Sequence, residues 1–142
     1  MLEIARPQPI RWTLQQVADR AAKRPQDYPS FMKSFVDFVC AHTGAVDIAR
    51  SIAAEPVLLR DAWMNVHLAG IAEFLAQREN VEVPSWALDQ RRFLAEPLVC
   101  GGARSHAMVM AETPGPMRRR NLFCGRVEMR SIRSGHAGQR AS

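Results

Sequence analysis

The stretch Leu58-Leu59-Arg60-Asp61-Ala62-Trp63-Met64-Asn65-Val66-His67-Leu68-Ala69-Gly70-Ile71-Ala72-Glu73-Phe74-Leu75-Ala76-Gln77-Arg78 decides the fold. A helix advances about 100° per residue; with Trp63 at zero, Phe74 falls at about 20°, His67 at about 40°, Ile71 at about 80°, Met64 at about 100°, Leu75 at about 120° and Leu68 at about 140°. Gly70 and Val66 extend the arc, and Asn65, Ala69, Ala72, Glu73 and Ala76 stand opposite. So wide an apolar arc predicts a central helix packed on two sides. Burial of its large side chains contributes on the order of 10 kcal/mol before chain entropy is subtracted, at roughly 1.5–3 kcal/mol each. Trp63→Ala or Phe74→Ala is expected to cost about 3–5 kcal/mol.

Shorter helices are predicted around this one. Residues 1–12 read as an arm in which Pro7 and Pro9 block helix. Thr13 is an N-cap for Leu14–Arg24, with Gln16 at the capping-box position. A second helix spans roughly Ser30–His42 on Phe31, Met32, Phe35, Val36, Val39 and Cys40; a third spans Val46–Ala54. After the central helix, Trp86 plugs the edge of the core, and Ala103–Glu112 forms a short, poorly striped helix. Thr113-Pro114-Gly115-Pro116 is a break, and residues 134–142 read as a disordered tail. The class is all-α: a bundle of four main helices in a domain spanning 13–116, short C-terminal helices, and a basic segment over 117–133.

At 142 residues and 47% apolar composition, the chain suits one domain with one core. No apolar run approaches the roughly 20 residues of a membrane span, and the N-terminus lacks a signal-peptide pattern. Three widely spaced cysteines, Cys40, Cys100 and Cys124, suit free thiols in a reducing cytoplasm.

Charge is concentrated at one end. Residues 117–142 hold seven arginines against the single acid Glu128, whereas residues 1–116 hold twelve Lys and Arg against thirteen Asp and Glu. Arg118, Arg119, Arg120, Phe123, Arg126 and Arg130 are therefore the candidate binding residues for an acidic protein or a nucleic acid. Guanidiniums in a row can grip phosphates or carboxylates bidentately, and Phe123 can stack or fill a pocket. The plainer reading is a solubilising tail whose Leu122 and Phe123 fold back on the body. No nucleophile elbow, phosphate-binding loop or dinucleotide fingerprint occurs, which favours a protein that is not an enzyme. His67, inside the apolar arc, could be a base or ligand, yet suits better a hydrogen-bonded core histidine. Cys100, His106 and Cys124 lack the close pairing of zinc ligands, so no metal or cofactor is expected.

Four stretches carry a family resemblance: Leu75-Ala76-Gln77-Arg78; Val83-Pro84-Ser85-Trp86; Arg92-Phe93-Leu94 with Pro97; and Thr113-Pro114-Gly115-Pro116-Met117-Arg118-Arg119-Arg120-Asn121-Leu122-Phe123. Together they resemble an uncharacterised bacterial helical family in which the last motif reads Pro, spacer, aromatic, arginines, small residue and apolar pair. Met117 stands at the aromatic position. Members of that family resemble products encoded beside nucleotidyltransferase-like proteins in toxin–antitoxin-type arrangements. The resemblance implies an antitoxin-like accessory protein that binds a neighbour-encoded enzyme, carries over no catalytic residue, and marks Trp86, Phe93 and 118–123 for structural or contact roles. The alternative is a nucleic-acid-binding regulator using the C-terminal arginine cluster.

Overall fold

The computed structural model describes residues 12–41 and 44–127. Helix α1, Leu14–Lys23, opens on the expected capping box: Thr13 Oγ1 accepts from Gln16 N at 3.1 Å, and Gln16 Oε1 accepts from Thr13 N at 3.2 Å. Its buried stripe is Leu14, Val17, Ala18 and Ala21. Helix α2, Tyr28–Ala41, begins two residues before the expected Ser30. Pro29 does not prevent this, because a first-turn N–H has no intrahelical partner to lose. Tyr28, Met32, Phe35, Val36 and Val39 are buried along it. Helix α3, Ala45–Ala53, adds Ile48 and Ile52 to the same core.

Helix α4, Ala62–Arg78, starts four residues later than its apolar pattern predicts. The reason is Asn65. Its Oδ1 accepts from Leu59 N at 2.7 Å and its Nδ2 donates to Leu59 O at 2.9 Å, so the side chain pairs both backbone groups of the incoming segment. The face expected to lie opposite the apolar arc is also inside: Asn65, Ala69, Ala72, Glu73 and Ala76 are all buried. Conversely, Trp63 and Phe74 are only partly buried, so the heaviest truncation cost moves from them to fully buried Leu68 and Leu75.

After α4 the chain wraps the bundle in short turns. Trp86 is buried as expected, and its Nε1 donates to Ile52 O at 2.9 Å. Arg92 is fully buried beside it, its guanidinium 5.0 Å from the Trp86 ring centroid and its Nη2 donating to Pro56 O at 2.6 Å. Two-residue strands β1, Leu98–Val99, and β2, Leu122–Phe123, pair in parallel with Leu98 opposite Leu122 and Val99 opposite Phe123. Between them lie α5, His106–Glu112, and α6, Gly115–Arg118. The architecture is thus a mostly helical bundle with one small sheet. No helix among the described residues is long and apolar enough to cross a membrane.

The basic segment expected over 117–133 is described as far as Val127. Residues 113–127 form a strap across α4, with Met117, Arg120 and Leu122 fully buried. Gly70 makes room for it: a Cβ there would meet Met117 Cγ at 3.0 Å. Thr113 fastens the strap, its Oγ1 donating to Val109 O at 2.6 Å and accepting from Gly125 N at 2.8 Å. All of the expected 1–12 arm except Trp12, the tail over 134–142, and Arg130 and Arg133 lie outside the described residues.

Candidate functional site

The arginine run does not present one continuous cationic surface. Arg118 is exposed and donates through Nη1 to Met110 O at 2.9 Å. Arg119 turns toward α4 and pairs with Glu73 Oε2 at 2.6 Å, its side chain half exposed. Arg120 is wholly enclosed: Nη1 donates to Glu73 Oε1 at 2.5 Å and to Pro116 O at 2.8 Å, and Nη2 donates to Ala87 O at 2.7 Å. Its guanidinium lies 4.6 Å from the Phe93 ring centroid. Arg120 therefore offers no surface to a partner and serves the interior, a correction to its expected contact role. Phe123 is partly buried in β2, and Arg126 pairs with Glu112 at 3.6 Å.

Glu73 is the counter-charge that draws this run inward. Burial alone would raise its carboxyl pKa, but the hydrogen bonds from Arg119 and Arg120 outweigh that and hold it below the usual carboxylate value. The wheel position of Glu73 hid its role, yet a signal was present. It is the single acid in a 17-residue helix apolar nearly all round, so it had to be buried and matched by a cation.

A second constellation centres on His67. A cleft of about 400 Å³ opens between α2, α4 and the end of the strap, lined by Met32, Val36, Ile71 and Val127 together with Tyr28, Trp63 and His67. Tyr28 Oη and His67 Nδ1 are 2.6 Å apart. The Tyr28, Trp63 and His67 rings meet edge to face, with centroid separations of 5.3, 5.7 and 6.2 Å. Tyr28 is 1% exposed and His67 Nδ1 is its one hydrogen-bond partner among the described residues, so donation of its hydroxyl proton to Nδ1 is the arrangement that leaves the phenol donor paired. In that arrangement the imidazole is the Nε2–H tautomer.

Burial lowers the His67 pKa to about 4, and burial, with Cys124 adding to it, raises Tyr28 well above its ordinary value. Both groups are neutral near pH 7 and suit binding rather than proton abstraction. Tyr28 escaped the sequence reading because it stands 39 residues from His67.

Cys100 and Cys124 follow β1 and β2 directly, and Cys100 N donates to Phe123 O at 2.9 Å, which brings the two cysteines alongside each other as free thiols. Burial raises Cys100, and burial with the influence of Cys100 pushes Cys124 up to about 11. Protonated thiols are poor nucleophiles. No group of three potential metal ligands occurs among the described residues, and His106 instead lies 3.3 Å through Nε2 from Gly101 O. No protein-family model, curated protein or solved structure matches this chain.

Proposed function

We propose that this chain is a non-catalytic, antitoxin-like accessory protein that binds a partner enzyme, a nucleotidyltransferase-like one on the family resemblance. The observation that carries the reading is α5. This seven-residue helix buries none of its side chains, and Met108 and Met110 are 58% and 41% exposed. Isolated helices below about 12–15 residues are marginal in water, so a short helix with its apolar side chains outward gains most from docking on something else. Ala107, Met108 and Ala111 fall within about 100° of one another around the helix, whereas Met110 stands about 160° from Met108, so the contact face is a short one centred on Met108. A flexible methionine suits such a contact because it repacks against many shapes. Exposed Arg104 and Arg118 flank the stripe and favour a partner with an acidic rim.

The nucleic-acid reading fits this geometry less well. A multi-phosphate grip needs several cations free to reach the backbone, and Arg119, Arg120 and Arg126 already face carboxylates. The test is co-expression with the neighbour-encoded enzyme, followed by nuclease treatment and sizing. A stoichiometric complex is expected to survive nuclease and to be lost in a Met108→Glu variant whose helical circular dichroism is unchanged. A complex indifferent to that variant, or held together only by nucleic acid, would reject the reading.

A further inference from the structure

We propose that the cleft between α2, α4 and the strap binds a small neutral aromatic molecule that presents a hydrogen-bond acceptor, such as a carbonyl oxygen, to Nε2–H of His67. The site is separate from α5 and does not depend on the partner-binding reading.

Three observations determine the ligand class. The first is the wall. Its volume of about 400 Å³ lies within the roughly 300–1,000 Å³ of small-molecule sites, and Met32, Val36, Ile71, Trp63 and Val127 make it apolar. Ring edges of Trp63 and Tyr28 suit a flat aromatic guest. The second is charge. Lys33, Asp37 and Arg126 are its charged lining residues, but Lys33 pairs with Asp37 at 3.0 Å and Arg126 with Glu112 at 3.6 Å. Each cation already faces a carboxylate, so the cleft carries no surplus charge that would favour an ion over a neutral guest. The third is His67. Tyr28 occupies Nδ1, and Nε2 has no partner among the described residues while its ring lines the cleft. Its remaining polar atom is thus a donor at an apolar wall.

A guest without an acceptor would cover that donor and leave it unpaired; a guest with one would satisfy it. The edge-to-face packing of Tyr28, Trp63 and His67 and the Tyr28 hydrogen bond hold the donor in place beforehand, which lowers the ordering cost of binding.

The test compares two probes of nearly equal shape, 2-acetonaphthone and 2-ethylnaphthalene, on the full chain. The hydrocarbon partitions more readily out of water, so simple greasiness would favour it. The proposal expects the ketone to bind at least about fivefold more tightly, the difference one satisfied donor makes. It also expects the ketone to shift the His67 Nε2 resonance in ¹⁵N-histidine-labelled protein and to slow alkylation of Cys124, which lines the same cleft. His67→Phe should bring the preference to unity or reverse it. If that variant fails to fold, the wild-type ratio and the Nε2 shift decide the matter by themselves. Equal or tighter binding of the hydrocarbon, ketone binding that leaves His67 Nε2 unmoved, or no binding of either probe up to its solubility would overturn the proposal.

Discussion

Glu73 carries two arginines on one carboxylate, and its loss is not symmetric with theirs. Glu73→Gln keeps the shape but leaves the fully enclosed Arg120 without a counter-charge. Breaking a buried pair in this way costs about 3–5 kcal/mol, and urea unfolding at pH 7 should show a loss of that size. The pH dependence has a definite sign. A carboxylate with a depressed folded pKa adds stability that is complete above its unfolded value, near 4.5 here, and is lost as pH falls through the folded value. The acid limb of the wild type should therefore flatten in Glu73→Gln. His67 acts in a different window. Its pKa falls from 6.5 in the unfolded chain to about 4 in the fold. The neutral ring's contribution is present above 6.5 and declines as pH drops toward 4, by at most about 3 kcal/mol. Between pH 6.5 and 4.5 the slope belongs to His67 rather than Glu73. Denaturant midpoints for His67→Gln should lose this slope; an unchanged slope would place the proton uptake elsewhere.

At the scale of elements, α4 shows what local pattern can and cannot reveal. Helices α1 to α3 were legible because a capping box and an apolar stripe are contained within a few turns of sequence. The central place of α4 was legible for the same reason. Its far face was not, since a wheel assigns Asn65 and Glu73 to the polar side and contains no term for what covers that side. The cover comes from residues 46 and 47 positions later, Arg119 and Arg120, and no local period encodes so distant a pairing. Two-residue strands leave no alternation to read, so the small sheet was missed as well. Gly70 is the contact point where strap and helix come closest. Gly70→Val would push branched methyls into Met117, which is fully enclosed and has nowhere to swing. Overpacking of this kind costs about 1–3 kcal/mol, against which valine recovers only a few tenths of helix propensity over glycine. A net loss is expected in thermal unfolding, with Met117→Ala in the same chain returning part of it by clearing the space.

For the whole molecule, the question is whether the arginine-rich end is an appendage or a structural member. As an appendage, removing it would leave the melting temperature of the helical body nearly unchanged. The strap geometry predicts otherwise. Truncation before Met117 takes away two fully buried apolar side chains, worth roughly 3–6 kcal/mol together. It also strips Glu73 of both arginine partners, at about 3–5 kcal/mol more. Domains of this size are stable by about 5–15 kcal/mol in total, so the shortened chain should lose its cooperative transition. A chain ending at Val127 keeps every described contact and is the reference against which the shorter one is read. The paired truncations separate the two views with one calorimetric measurement. If the shorter chain melts normally, Arg120 and Met117 do not hold the fold. If it collapses while the longer one does not, the same arginines that give the chain its basic end are also what closes its core, and charge reversal at Arg118 becomes the cleaner way to probe its surface.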